Sequence, residues 1–319
     1  MYTAKDHVSS PFSTYPMNQP LDFFPFIIPL SWKWHEYVYN KDPKVAANRI
    51  YKKVFGKDID WVCPLDLVEI NFWMRFYTDT TKWTELSDKY KVREYITNCG
   101  FGGMLNKLYG VYRNAQEIDF EALPKSFVLK TNNACGTVIL VKDKSKLNIN
   151  KTRKILDLWL TFPYGVMNVE PHYLDIKPCI VAEEFLEDLS GASTSLIDYK
   201  FFCFYGEPDC VEVIYDRSII DHTFSKDIYD MEWNYRPELL RKKFRNRSKL
   251  ISKPHSFDDM VTACRVLAKQ FPFVRMDFYE INGKPYFGEM TFTPGIDNFT
   301  PEQYKIFGKK IDMNSINLK

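Results

Sequence analysis

The chain has almost no excess of charge of either sign: 43 Lys and Arg stand against 41 Asp and Glu, for a formal net charge of +2. A dedicated nucleic-acid binder carries a marked basic surplus, so nucleic acid is not an expected partner, whereas small anionic ligands are not excluded. None of the seven cysteines (63, 99, 135, 179, 203, 210 and 264) forms a C-x-x-C pair, which removes the usual zinc and redox motifs. Scattered, odd in number and mostly set in apolar runs, they read as small buried thiols of a reduced, cytoplasmic protein. The N-terminus (MYTAKDHVSSPF) lacks the basic start and apolar core of a signal peptide. The most apolar early run, FFPFIIPLSW at 23–32, is too short to span a membrane and is interrupted by Pro25 and Pro29. It is expected as a buried N-terminal segment. No internal repeat and no low-complexity tract is found. An Asp-x-Asp motif at a strand end is also missing, since DID at 58–60 lies in an N-terminal extension. A nucleotide-sugar glycosyltransferase is therefore only an alternative reading.

What is present is a well-packed chain of 319 residues, 45% apolar and 16% aromatic, with 25 Phe and 20 Tyr. That is enough for two or three lobes, each with its own core. Residues 1–63 form a Pro- and aromatic-rich extension that turns helical. Residues 64–125 form a helical first lobe, in which Asp88 suits a helix's first turn and Gly100 and Gly102 its end. Residues 126–189 form a small lid lobe: the strands FVLK and TVILVKD flank the loop TNNACG as a hairpin, an amphipathic helix covers 151–164, and CIVAEEFL (179–186) is a buried strand. Residues 190–319 form a larger lobe with strands DYKFFCFYG and CVEVIYDRS, a helix over 257–271 and a closing hairpin over 273–292. The class is α+β, with mainly antiparallel strands.

The closing hairpin is the sharpest signal. Phe273, Arg275, Asp277 and Tyr279 share one face of its first strand, and Phe287, Glu289 and Thr291 share one face of the second. An Arg and an Asp among core residues are costly unless they face a cleft or each other. Magnesium takes oxygen ligands, usually one or two carboxylates plus phosphates and water. Asp277, Glu289 and Thr291 match that need, provided the hairpin register brings 277 opposite 289. A two-residue turn at Asn282-Gly283 would miss by one position, so a three-residue loop centred on Gly283 is expected. The plainer alternative pairs Asp277 with Arg275 and leaves Glu289 on the rim.

Other charges follow in order. Lys130 ends a strand before a small-residue loop, where it can reach phosphates or simply be solvated. Glu183, Glu184 and Leu186 suit a hinge whose backbone reads an adenine edge. Asp198 and Lys200 share a strand face, for ribose and phosphate, and Arg217 is a candidate clamp for a phosphoryl group or carboxylate. The basic run 241–253 is a solvated loop or a rim that attracts an anionic glycan. His172 reads as a packed structural histidine.

The segments LPKSFVLKTNN, VKDKS, PHYLDIKPCIVAEEFL, DYKFFCFYGEP and VRMDFYEINGKPYFGEMTFTP resemble the ATP-grasp superfamily, and within it the TupA-like branch linked to teichuronopeptide and other surface-polysaccharide biosynthesis. The resemblance runs from about 64 to about 310. It implies two α/β lobes around a nucleotide cleft, ATP with magnesium (or manganese), and ADP-forming ligation of a small carboxylate to an amine through an acyl phosphate. An ATP-dependent phosphotransferase on the same fold is a further alternative. By the same resemblance, Lys89 and Lys130 contact phosphates, Glu183, Glu184 and Leu186 line the adenine pocket, and Asp198 sits near the ribose. Lys200, Arg217 and Arg275 are the catalytic cations, and Asp277, Glu289 and Thr291 the metal ligands. Two departures stand out: Glu289-Met290-Thr291 replaces the usual Glu-x-Asn, and NNAC replaces a loop richer in glycine and histidine.

Overall fold

The computed structural model describes residues 27–319, apart from 219–222, 246 and 248, and side chains from Trp32 onward. Of the apolar run 23–32, residues 23–26 lie outside the described residues, and 27–32 open the first helix, where the Trp32 side chain is buried. Helix α1 covers Ile27–Lys41 and α2 Pro43–Phe55. The α2 boundary follows from its ends. Asp42 accepts hydrogen bonds from the Lys44 and Val45 amides, Pro43 takes the position where no amide donor is needed, and Gly56 closes the helix at φ 74°. Helix α3 (Leu67–Tyr77) is capped in the same way by Asp66, whose carboxylate also accepts from the buried Tyr51 hydroxyl at 2.6 Å, fastening α2 to α3. Short helices α4 (Thr81–Ser87) and α5 (Val92–Asn98) follow. Asp88, expected in a helix's first turn, lies instead in the turn between them, where it accepts from the Tyr90 and Lys91 amides.

Two antiparallel sheets carry the rest. The small sheet has the order β1-β4-β2-β3, from β1 (Leu108–Tyr112), β2 (Phe127–Thr131), β3 (Val138–Val141) and β4 (Ile180–Glu184). Strand β1 was not foreseen. It places residues 108–112 in the small sheet, so the expected boundary at 125 falls within that lobe's sheet. Phe127 and Leu129 alternate inward onto Leu156 and Trp159 of α6 (Ile149–Leu160), while Val128 and Lys130 take the opposite face. The one-turn helix α7 (Tyr164–Met167) leads toward β4.

The large sheet has the order β7-β6-β5-β8-β9, from β5 (Asp198–Phe204), β6 (Glu207–Tyr215), β7 (Ser225–Asp230), β8 (Val274–Ile281) and β9 (Lys284–Thr291). Strand β7 also escaped the sequence reading, because it is short and carries charges. One face of the sheet, with Tyr199, Phe201, Val211, Val213, Met276 and Phe278, joins the apolar stripe of α8 (Phe257–Leu267) in the main core. Phe202, Phe273, Phe299 and Phe307 interlock with α9 (Pro301–Gly308) at one end of the sheet. Truncating any of these buried rings costs about 3–5 kcal/mol.

Candidate active site

Asp277 and Glu289 do stand directly opposite each other, but not by the expected route. The turn is the tight two-residue one, with Asn282 at φ 52° and Gly283 at φ 74°. Tyr279 pairs with Tyr286 and Phe278 with Phe287, and the register then slips by one residue before Asp277 meets Glu289. Gly288 is the extra residue of this β-bulge. A Cβ there would lie 3.0 Å from the Asp277 carbonyl oxygen and 3.2 Å from the Tyr279 ring, so any larger residue would have to push the strands slightly apart. The expected three-residue loop is thus replaced by a bulge. The bulge also turns Phe287 into the core beside Phe278, away from the face of Glu289 with which the alternation had grouped it.

Around the two carboxylates the large sheet builds a charge network. Arg275 donates to both oxygens of Asp277 at 2.7 Å, and one of its nitrogens also reaches Glu289 Oε1 and Thr291 Oγ1, each at 3.0 Å. Lys200 reaches Asp277 at 2.5 Å and Asp198 at 3.4 Å, and Arg217 grips the far side of Asp198 at 2.9 Å. The Asp277–Arg275 pair named as the plainer alternative is real, and it coexists with convergence on Glu289. Burial works against ionising Glu289, but Arg275, Lys200 and Lys89 more than offset it and hold its carboxyl down at about 2. Arg275 is likewise kept charged against its own burial by Asp277 and Glu289.

The small sheet supplies the opposite wall. Lys130 and Glu183 lie on its face away from α6 and meet at 2.5 Å, and Glu183 also holds Arg93 at 3.3 Å and Asn106 at 3.2 Å. Glu183 is therefore fully engaged in positioning Lys130 and fixing β4 to the first lobe. Its neighbour Glu184 accepts from the Lys107 amide, and Leu186 lies in the segment that follows β4. Lys89 donates to the carbonyl of Ala134 in the β2–β3 loop. Burial lowers the Lys89 pKa, while the charge of Glu289 works the other way. Cys135, in the same loop, lies within reach of the charges of Glu289, Lys89 and Arg275. The two lobes thus bring the β2–β3 loop into the electrostatic reach of the carboxylate pair.

The sequence profile of the TupA-like ATP-grasp family matches residues 69–312. The chain belongs to that family. No curated protein matches the sequence. Among solved structures, D-alanine–D-alanine ligase from Bacillus anthracis in complex with ATP is similar at 13% identity, covering 74% of this chain and 67% of that one, with a TM-score of 0.47. D-cycloserine synthetase is similar at 12% identity over 72% and 69% of the two chains, with a TM-score of 0.40. The Helicobacter pylori D-alanine–D-alanine ligase is similar at 15% over 71% and 61%, with a TM-score of 0.35. The ATP-grasp class expected from the sequence is the class found, and among the described residues no helix is long and apolar enough to cross a membrane.

The residues present fit a magnesium–nucleotide site of the carboxylate-poor kind. Among the described residues no group of three His, Cys, Asp or Glu gathers into a protein-only cage. Two opposed carboxylates and a hydroxyl leave most of a hard cation's shell to phosphate and water. Glu289, with its side chain one-third exposed, is the one open to the cleft. Several buried charges around this network were missed by sequence reading. Glu212 is opposite Lys200 in the sheet, and Lys226 joins it at 2.8 Å and Asn298 at 2.7 Å. The argument that flagged Asp277, a charge inside an apolar strand, would have found Glu212 in CVEVIY. Nothing local marked Glu170, a buried carboxylate in the segment between α7 and β4.

Proposed function

We propose that the protein is an ADP-forming carboxylate–amine ligase that activates a carboxylate as an acyl phosphate and joins it to an amine. The single observation that carries this reading is the bulge-enforced opposition of Asp277 and Glu289, ringed by Arg275, Lys200 and Lys89. Magnesium and ATP, when bound, supply the transferable phosphoryl group and the charge that draws it toward an incoming carboxylate oxygen. Asp277 and Glu289, with the Thr291 hydroxyl, would hold the metal. Lys200, Arg217 and Arg275 would face the phosphoryl oxygens and the carboxylate being activated, where fixed cations stabilise developing charge without reorganising. Lys89 and Lys130 would steady the phosphate tail from the lid side. Glu183 keeps Lys130 in place, and the backbone of Glu184 to Leu186 would edge the adenine. Asp198, between Lys200 and Arg217, would accept from a ribose hydroxyl. Closure of the lid lobe would keep water from the acyl phosphate.

The carboxylate is proposed to be a uronic acid or similar acid of a cell-surface glycan precursor, with an amino acid or simple amine as acceptor. The branch resemblance supports this, and the basic run over 241–253 offers a rim for an anionic glycan. The test is ADP release by the purified protein with ATP, magnesium and a panel of sugar acids and amines. Release that requires both a carboxylate and an amine, with amide formed in step, supports the ligase. ADP released without amide product removes it in favour of phosphotransfer.

A further inference from the structure

Glu170 is buried at 5% exposure, and its Oε2 has no hydrogen-bond partner. A buried carboxylate oxygen left without a donor is among the more costly groups a core can hold. The charge of Arg75 favours the ionised carboxyl, but the side chain makes no ion pair with it. Its guanidinium is spent on Asn71 Oδ1 (3.1 and 2.8 Å) and on the carbonyls of Asn168 and Val169 (3.2 and 2.9 Å). The hydroxyls of Thr293 and Tyr164 lie beside the Glu170 carboxyl, and the rings of Tyr164 and Tyr173 meet edge to face at 4.8 Å. Thr293 is two residues beyond Thr291, and the charge of Glu289 is felt by Glu170, Tyr164 and Tyr173 alike. Ala134 of the β2–β3 loop packs with Tyr164, and the preceding residue, Asn133, has a buried Oδ1 that is also unpartnered. A buried carboxylate oxygen without a donor, aromatic faces and a spare amide acceptor near the carboxylate pair are the chemistry that receives a primary ammonium.

Resting on the ligase reading above, we propose that Glu170, with Tyr164, Tyr173 and Thr293, forms the subsite for the amine substrate, and that Glu170 is the group that takes the proton from its ammonium. The transfer gives a neutral amine and a protonated Glu170. The nitrogen lone pair then forms the C–N bond as the carbon–oxygen bond to phosphate breaks. The second proton on nitrogen leaves with the departing inorganic phosphate. Arg75, Tyr164, Tyr173, Glu289 and Cys135 of the β2–β3 loop are the titratable and charged groups that face Glu170 from the surrounding elements.

The variant is Glu170→Gln, which keeps the shape and removes the charge. Thermal midpoints are measured with ATP and magnesium, adding methylammonium, ethylammonium or glycinamide at about 10 mM, with ethanol as the neutral control. Wild type is expected to rise by about 2 °C with the ammonium probes and not with ethanol. Glu170→Gln should bind nucleotide equally and show no ammonium shift, and Glu170→Asp should show a reduced one. Once the panel above has supplied a carboxylate, Glu170→Gln should slow amide formation by roughly 100-fold. Its trapping by hydroxylamine, neutral at pH 7, should fall no more than a few-fold. Equal shifts in wild type and variant, no shift in a wild type that binds nucleotide, or equal loss with both nucleophiles overturns the subsite and leaves the ligase intact. A wild type that binds no nucleotide overturns the ligase reading itself, and the subsite with it.

Discussion

Glu289 and Glu170 are two glutamates at one site, each within reach of the other's charge, and their surroundings drive them in opposite directions. Burial pushes both up. At Glu289 the cations Arg275, Lys200 and Lys89 outweigh it and bring the carboxyl down to about 2, whereas at Glu170 burial prevails and lifts it to about 7. The difference lies in what the neighbouring arginine does. Arg275 points its Nε and one terminal nitrogen at carboxylates, while Arg75, also buried, is tied to backbone carbonyls and Asn71. One residue type thus yields a permanently ionised group, suited to metal and phosphate, and a group poised near neutrality, suited to exchange a proton.

The most severe way to break this contrast is Asp277→Asn. It leaves Lys200 and Arg275 buried without their shared anion and should cost about 3–5 kcal/mol of stability, read as a fall in denaturation midpoint. A rise or no change would mean that the network is not held by that carboxylate. Next comes Glu170→Gln, with the opposite sign. The folded pKa of about 7 lies above the ordinary 4.5, so the native state binds the extra proton and loses stability as pH rises from 4.5 through 7. Glu170→Gln should therefore match wild type below pH 4.5 and exceed it by roughly 3 kcal/mol above pH 7. Denaturant titrations at several pH values measure this, and a constant difference across pH would refute it.

Glu289→Gln should run the other way. Its folded pKa is depressed, so its stabilising effect is present above pH 4.5 and fades only as pH falls toward 2. ATP turnover in this variant should drop by roughly 100-fold or more, while a protein that merely binds nucleotide would be unaffected. Gly288→Ala sharpens the geometric side. The added methyl presses on the Asp277 carbonyl and the Tyr279 ring, for a cost of about 1–3 kcal/mol, and should weaken magnesium–nucleotide affinity more than nucleotide affinity without metal. The smallest effect belongs to Lys243→Ala in the basic run. Its half-exposed pair with Asp297 at 2.6 Å should be worth less than about 1 kcal/mol.

Much of the scaffold could be read along the chain, because alternation and capping are local. The β2–β3 hairpin, the buried strand at 180–184 and the α8 stripe all follow from neighbours a few residues apart. The candidate site was legible where a charge interrupts an apolar strand, as at Asp277 and Lys200. It was not legible where charge sits in irregular chain, as at Glu170. Strands β1 and β7 were missed because their partners, β4 and β6, decide that they are strands at all.

The sequence by itself determined the inventory: which carboxylates and cations the chain could bring to a cleft, and that Asn282-Gly283 would turn sharply. Only the tertiary structure decided their pairing. The one-residue slip at Gly288 depends on how closely two backbones can approach, and the split between Glu289 and Glu170 depends on which arginine edge is already taken. Both are matters of contact between distant segments, and local periodicity carries no record of them.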